Sequence, residues 1–352
     1  MKKWYQKEGA ESEVALSACV RLARNLRGIP FPAGLDDAGK RKVGDKIKDA
    51  VFDENSAVSH IFRYVDLESL RDGEAVALAE RRLVKAGFLA GRNGRGLLVS
   101  EDESACVMIN GDDHFLLQAQ TPGFSLEEAY AEADRLDTIL DKSLHFAFDP
   151  ELGYLTCSPA LLGTGMVASV DLHLPALADS GEAARIAANL LPLGMLLRGV
   201  GNPAGRPHGS IFRLSNRMTL GLSEREAVTN LKRIAGQIIA QERAARNRLI
   251  QGIAVQDTAG RSLGILKTAR LLGFGEFLDL ISVVRFGMAA GFLPKTGYGT
   301  IGDLLMRVQP ANLNLEAGRR LTEDEEKAIR ADVVREAFAG RKDGGAGNEG
   351  NG

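Results

Sequence analysis

The chain has 352 residues, enough for a large core and about two domains. Apolar residues make up 45% and charged residues 26%, with a net charge of −2, so nothing in the composition points to a general nucleic-acid or membrane binder. Cys19, Cys106 and Cys157 are scattered without a CxxC, which excludes a disulfide framework and argues against zinc.

The N-terminal MKKWYQKEGAESE has no apolar h-region, and no apolar run approaches the roughly 20 residues that span a bilayer. The expected compartment is therefore the cytoplasm, with reduced thiols. Residues 12–34 begin SEVALSACVRLARNLRG and pass into IPFPAG; Arg21, Arg24 and Arg27 recur every three residues, compatible with one helical face or an extended arm. Residues 36–53 and 66–89 carry apolar residues at helical spacing and predict helices. GRGLLVSEDESACVMIN, 94–110, predicts two strands joined by an acidic turn. SLEEAYAEADRLDTILDKSL, 125–144, predicts a helix with Ser125 and Glu128 as a capping box. LGYLTCSP and VASVDLHLP read as strands around a Gly-rich loop, and 208–221 as a further strand and turn.

The texture changes after about Ser223. A long helix opens there with Ser223 and Glu226 as a second capping box, and helices with Gly-containing turns continue to a capped helix at 321–338. The Gly-rich 341–352 tail is expected to be disordered. Strands mixed with helices, then helices alone, predict an α+β domain over 1–222 and a helical C-terminal domain over 223–340.

Several stretches carry chemistry. VMINGDDHFLLQ, 107–118, sets Asp112, Asp113 and His114 together, as a general acid/base cluster or a solvated turn. LLGTGMVAS, 161–169, offers backbone N–H groups to a phosphate but lacks the P-loop pattern. RGVGNPAG, 198–205, adds Arg198 as a phosphate grip or is simply a turn. A lone cysteine such as Cys157 is usually a small core residue. His145, His173 and His208 show no metal-ligand spacing, and Arg243–Arg248 reads as a solvated helix face.

Taken in order, SACVRLARNLRGIPFP, INGDDHFLLQ, LGYLTCSPALLGTGMVASVDLHLPAL, LRGVGNPAGRPHGSIFRLSNRMTLG and QPANLNLEAGRRLTEDEEKAIRADVVREAF resemble the phosphagen kinase superfamily over nearly the whole chain, in its bacterial branch of protein arginine kinases. The resemblance implies an antiparallel sheet flanked by helices, with a helical C-terminal domain. It implies in-line transfer of the γ-phosphoryl of MgATP to an arginine guanidinium, by positioning and charge neutralisation. A fan of arginines holds the triphosphate, two glutamates orient and deprotonate the guanidinium, and a cysteine lies beside the reacting nitrogen.

Carried over residue by residue, the resemblance puts the nucleotide-binding positions at Arg21, Ser169, Arg198 and Gly199, and the catalytic ones at Asp112 and Ser158. Several positions depart from the family pattern. Family arginines fall on Cys19, Leu116 and Val167. The first glutamate of the acidic segment falls on Gly111 and the catalytic one on Asp112, shorter by one methylene; the second catalytic glutamate falls on Pro203. Ser158 stands where the family has its cysteine, with Cys157 one place earlier. Cys157 is not expected to replace the missing thiol, because a one-residue shift on a strand turns the side chain to the other face. Three lost arginine–phosphate bonds, each roughly 1.5–3 kcal/mol, imply MgATP binding that is weak or lost.

The expectation is a catalytically degenerate protein arginine kinase homologue, a pseudokinase acting as a binding or regulatory module in protein quality control. Its partners would be proteins bearing arginine or phosphoarginine, with a homodimer or an active paralogue as the assembly. The alternative is an active kinase with a rebuilt site using Asp112, Arg21, Arg198 and Arg206. A structural assembly protein without a small-molecule site is the third reading.

Overall fold

Side chains alternate across a strand, and that decides the segment with the regularly spaced arginines. It is neither helix nor arm but the strand β1 (Ala15–Arg24), near the middle of an eight-stranded sheet. Ala18, Val20 and Leu22 enter the main core, whereas Ser17, Cys19 and Arg21 take the other face. Arg24 is buried on the core side, where Nη2 donates to Asp137 Oδ2 at 2.8 Å and the guanidinium lies 3.5 Å above the Tyr154 ring.

The computed structural model describes residues 1–54, 56–201 and 207–339. Pro203, Arg206 and the 341–352 tail lie outside the described residues. After β1 come α1 (Asp37–Phe52), β2 (Phe62–Asp66), α2 (Asp72–Glu80), β3 (Gly96–Ser100), β4 (Ala105–Ile109), β5 (Phe115–Pro122) and α3 (Leu126–Leu144). A short hairpin, β6 (Phe148–Asp149) and β7 (Gly153–Tyr154), precedes β8 (Met166–His173), α4 (Pro175–Asp179), α5 (Glu182–Leu190), β9 (Met195–Gly199) and β10 (Ile211–Asn216). The sheet order is β2-β3-β4-β5-β1-β8-β10-β9, antiparallel at every pairing.

Two local expectations change. The helix read over 66–89 is shorter, because α2 ends in a Schellman turn: Arg82 N–H donates to Ala79 O and Leu83 N–H to Leu78 O. Arg82 occupies the left-handed position of that turn, φ 63°, where glycine is usual. Ser125 precedes α3 but makes no side-chain cap. Ser223 and Thr322 do cap their helices, each paired with a glutamate three residues on.

One face of the sheet is covered by α1, α3 and α6 (Glu224–Leu249), through residues such as Ile47, Leu136 and Leu231. The change of texture at Ser223 thus marks the start of α6, but the apolar residues of α6 lie in the sheet's own core. The remaining helices are α7 (Ile253–Thr268), α8 (Phe274–Ala289), α9 (Tyr298–Arg307), α10 (Pro310–Glu316) and α11 (Glu323–Phe338). A second core, with Leu266, Phe277, Leu304 and Val334, joins α7, α8, α9 and α11. On the other sheet face, Leu78, Leu83 and Phe88 pack against Leu97, Val99, Cys106 and Met108 of β3 and β4. No helix among the described residues is long and apolar enough to cross a membrane.

Helix caps join the C-terminal helices to the rest. Glu8 Oε1 accepts the Tyr298 N–H at 2.7 Å at the start of α9. The Glu80 carboxylate accepts the N–H groups of Ala311 and Asn312 at 3.0 and 2.9 Å at the start of α10. A Cβ on Gly302 would lie 2.2 Å from the Tyr5 carbonyl oxygen, so α9 touches the N-terminal segment at the closest approach backbone permits. Loss of such a cap costs about 0.5–2 kcal/mol. Glu80→Ala is expected to lower the urea-unfolding free energy by that amount and to speed hydrogen exchange across 310–316; unchanged exchange there would refute the capping role.

Candidate functional site

The open face of the central strands brings the scattered sequence candidates together. Register sets Cys19 opposite Gln120 on β5 and Ser169 on β8, and Arg21 opposite Gln118 and Val167. On β10, Arg213 lies opposite Asp171 of β8 and Arg198 of β9. Cys19, Arg21, Leu116, Val167, Ser169 and Arg198 therefore share one sheet face. Leu116 packs against the small apolar cluster containing Phe88 and Met108. Gly199 is buried at the end of β9, and Arg198 beside it is exposed.

Polar side chains absent from the sequence reading organise this face. Arg21 Nε donates to Gln118 Oε1 at 2.6 Å, and Gln118 Nε2 donates to the Arg82 carbonyl at 2.8 Å. Arg82 Nη1 donates to Asp171 Oδ2 at 2.6 Å and to Ser17 Oγ at 3.3 Å. Arg213 grips the same carboxylate side-on, Nε to Oδ1 at 2.7 Å and Nη2 to Oδ2 at 2.9 Å. Burial would raise the Asp171 carboxyl, but Arg213 and Arg82 bring it down to about 2. Period-two reading from Ser169 would have reached Asp171, whereas no local pattern reveals that Arg82 crosses to it.

The acidic segment divides its roles. Asp113 is buried, and its Oδ1 accepts from Asn25 Nδ2 and from the Cys157 N–H, both at 2.7 Å. His114 is buried too: Nδ1 accepts the Leu26 N–H at 2.9 Å, so Nε2 carries the proton and donates to the Pro30 carbonyl at 2.8 Å. Asp113 and His114 thus pin the chain after β1 to the turn before β5. Asp112 is exposed, with Lys85 and Arg95 within its electrostatic reach, and Gly111 beside it lies against Phe88.

The segment with Cys157 and Ser158 is not a strand beyond Tyr154, so strand alternation does not govern those two residues. Cys157 is exposed, and burial together with Asp113 and Asp112 pushes its thiol above the ordinary value. Ser158 is half-buried at the start of a short 3-10 turn. The Gly-rich loop is not a phosphate cradle: the N–H groups of Thr164, Gly165 and Met166 donate to Thr219 O, Leu161 O and Thr164 Oγ1. A Cβ on Gly163 would lie 2.2 Å from the Thr219 carbonyl oxygen, so that glycine serves close backbone packing. His173 is buried against Ser282 at 2.7 Å, His208 pairs with Asp279 at 3.0 Å, and His145 ends α3. No group of three or more His, Cys, Asp or Glu side chains that would hold a metal ion occurs among the described residues.

Comparison with known proteins follows this geometry. The family model for the ATP:guanido phosphotransferase C-terminal catalytic domain matches residues 42–245, and the model for the protein-arginine kinase McsB C-terminal domain matches residues 252–347. The chain is 37% identical to a protein-arginine kinase of Clostridium acetobutylicum over 96% of its own length and 99% of that protein's. Among solved structures it is similar to the duplicated taurocyamine kinase of Schistosoma mansoni with bound transition-state analogue components, at a TM-score of 0.58 and 26% identity, covering 65% of this chain and 33% of that one. A lombricine kinase shares the fold at a TM-score of 0.59 and 21% identity, covering 68% and 70%.

Two outcomes test the placement. Burial holds His114 below its ordinary 6.5, so on acidification the unfolded chain takes up the proton first and stability falls as pH drops below about 6.5. His114→Asn should show a shallower loss of unfolding free energy than the parent between about pH 6.5 and 5, with buried His173 supplying the remainder; equal slopes would refute the assignment. At pH 8, iodoacetamide should alkylate Cys157 more slowly than a small model thiol, and Asp112→Asn should raise the rate several-fold. An unchanged rate would put the carboxylate out of reach of the thiol.

Proposed function

Because the chain belongs to the ATP:guanido phosphotransferase family, in its protein-arginine kinase branch, we propose that it is a homologue whose phosphoryl transfer is impaired and which acts as a binding or regulatory module in protein quality control. The observation that carries this reading is the division of labour in the acidic segment. Asp113 and His114 are consumed in holding the backbone, and Asp112 alone of the three is exposed. A protonated guanidinium is a poor nucleophile and needs an aligned base. Of the family's catalytic glutamates, one position holds the shorter Asp112 and the other Pro203, which carries no base and lies outside the described residues, while the glutamate position before Asp112 holds Gly111. Loss of a catalytic base costs roughly 10²–10⁴-fold.

MgATP is the nucleotide the family would place on the open face, with Arg21, Ser169, Arg198 and Gly199 as its contacts. The partners are proteins bearing arginine or phosphoarginine, in the cytoplasm, met as a homodimer or alongside an intact paralogue. One observation favours the alternative of an active kinase: Asp112 keeps an exposed carboxylate with Lys85 and Arg95 nearby.

The test is transfer of labelled γ-phosphate from MgATP to an arginine-rich protein. Phosphoarginine is a phosphoramidate, so its label is lost in acid and kept in base. No acid-labile product is expected even at high enzyme and nucleotide concentrations. An acid-labile product that disappears in Arg198→Ala would overturn the degenerate reading and establish the active one.

A further inference from the structure

The family plan leaves this face short of cations at Cys19, Leu116 and Val167, yet the face is not poor in guanidinium groups. Arg82 reaches it from beyond α2, passing Ser17 to meet Asp171, and Arg213 meets the same carboxylate from β10. Both lie within electrostatic reach of Cys19. Arg21, within electrostatic reach of Asp171, and Arg198, opposite Arg213 on β9, bring four arginines to the same face.

Their donors are only partly engaged. Among the described residues Arg21 donates through Nε alone, Arg82 through Nη1 alone, and Arg213 through Nε and Nη2. The two glutamines of β5 hold the Arg82 carbonyl, Gln118 at 2.8 Å and Gln120 at 3.4 Å. The backbone at Arg82 is left-handed, a conformation that costs a non-glycine residue energy and persists where the surroundings enforce it.

We propose that Arg82 and Arg213 supply the cationic work missing at Cys19, so that with Arg21 and Arg198 they bind a polyphosphate chain, and that Asp171 both aligns the two guanidiniums and competes with the incoming anion for them. Planar guanidinium forks suit phosphate oxygens, and prior alignment lowers the entropy lost on binding. The shared ligand chemistry is a triphosphate, whether in a nucleotide or in inorganic form. This inference rests on the reading of this face as the family's phosphate site, but it concerns binding, whereas that reading is tested by transfer.

The experiment is calorimetric titration of the full chain with MgATP and, separately, with inorganic tripolyphosphate. Arg82→Gln and Arg213→Gln should each weaken both probes roughly tenfold or more. Asp171→Asn should tighten both several-fold, because it removes the competing charge and frees donors on both arginines. Melting curves establish folding; should Arg82→Gln fail to fold, Arg82→Lys keeps the charge without the fork and should still weaken binding. Unchanged affinity in the folded arginine variants, or weaker binding in Asp171→Asn, would overturn the proposal. A response with MgATP but none with tripolyphosphate would overturn the polyphosphate assignment. Absence of binding by the parent protein to either probe would sink this inference and leave the degenerate reading standing.

Discussion

Everything at the candidate site depends on alternation along β1. One strand serves two environments, because successive side chains leave it on opposite faces. Ala18, Val20 and Leu22 close the core, and Arg24 is buried with them only because Asp137 and the Tyr154 ring receive its charge. Removing one member of such a buried pair typically costs 3–5 kcal/mol, which makes the register of β1 hard to change. With that register set, Cys19 and Arg21 must face the polar row contributed by β5, β8, β10 and β9.

A second constraint ties the C-terminal helices to that same row. Glu80 closes α2 and caps α10, and two residues later Arg82 reverses the chain and reaches Asp171. The helix cap and the sheet-face ion pair therefore share one short turn. The position of α10 and the aim of the Arg82 guanidinium are set by the same few backbone torsions.

The polar groups of the face serve the fold as well as any ligand. The acidic segment has become a clasp, with Asp113 and His114 bonded to the chain that leaves β1. The guanidiniums of the face include Arg82, which reaches it from the turn after α2, and Arg213 of β10 opposite Arg198. A face rich in guanidiniums, with Asp112 as the exposed carboxylate of its acidic segment, suits the proposed role of holding a phosphate-bearing group rather than transferring one, which is the sense in which the two proposals agree.

Much was legible in the residues. The helical periodicity of 36–53 and 125–144, the capping box at Ser223, the capped helix at 321–338, the paired strands of 94–110 and the family itself follow from patterns local in the chain. Ser125 shows where local reading fails, since its backbone departs from the geometry a cap requires. The shortened α2 shows the same, because helical spacing runs past the point where a left-handed arginine turns the chain. Sequence alone determined the ancestry, the helices and the list of substituted positions. Only the tertiary structure decided that Asp113 and His114 are bonded to distant backbone, that Cys157 lies beside their turn, and that Arg82 and Arg213 meet on Asp171. Those contacts join residues up to 89 positions apart, at Arg82–Asp171, and the buried Arg24–Asp137 pair joins residues 113 apart; no local propensity encodes them, because the energy that selects them exists only once the sheet and its flanking helices have closed.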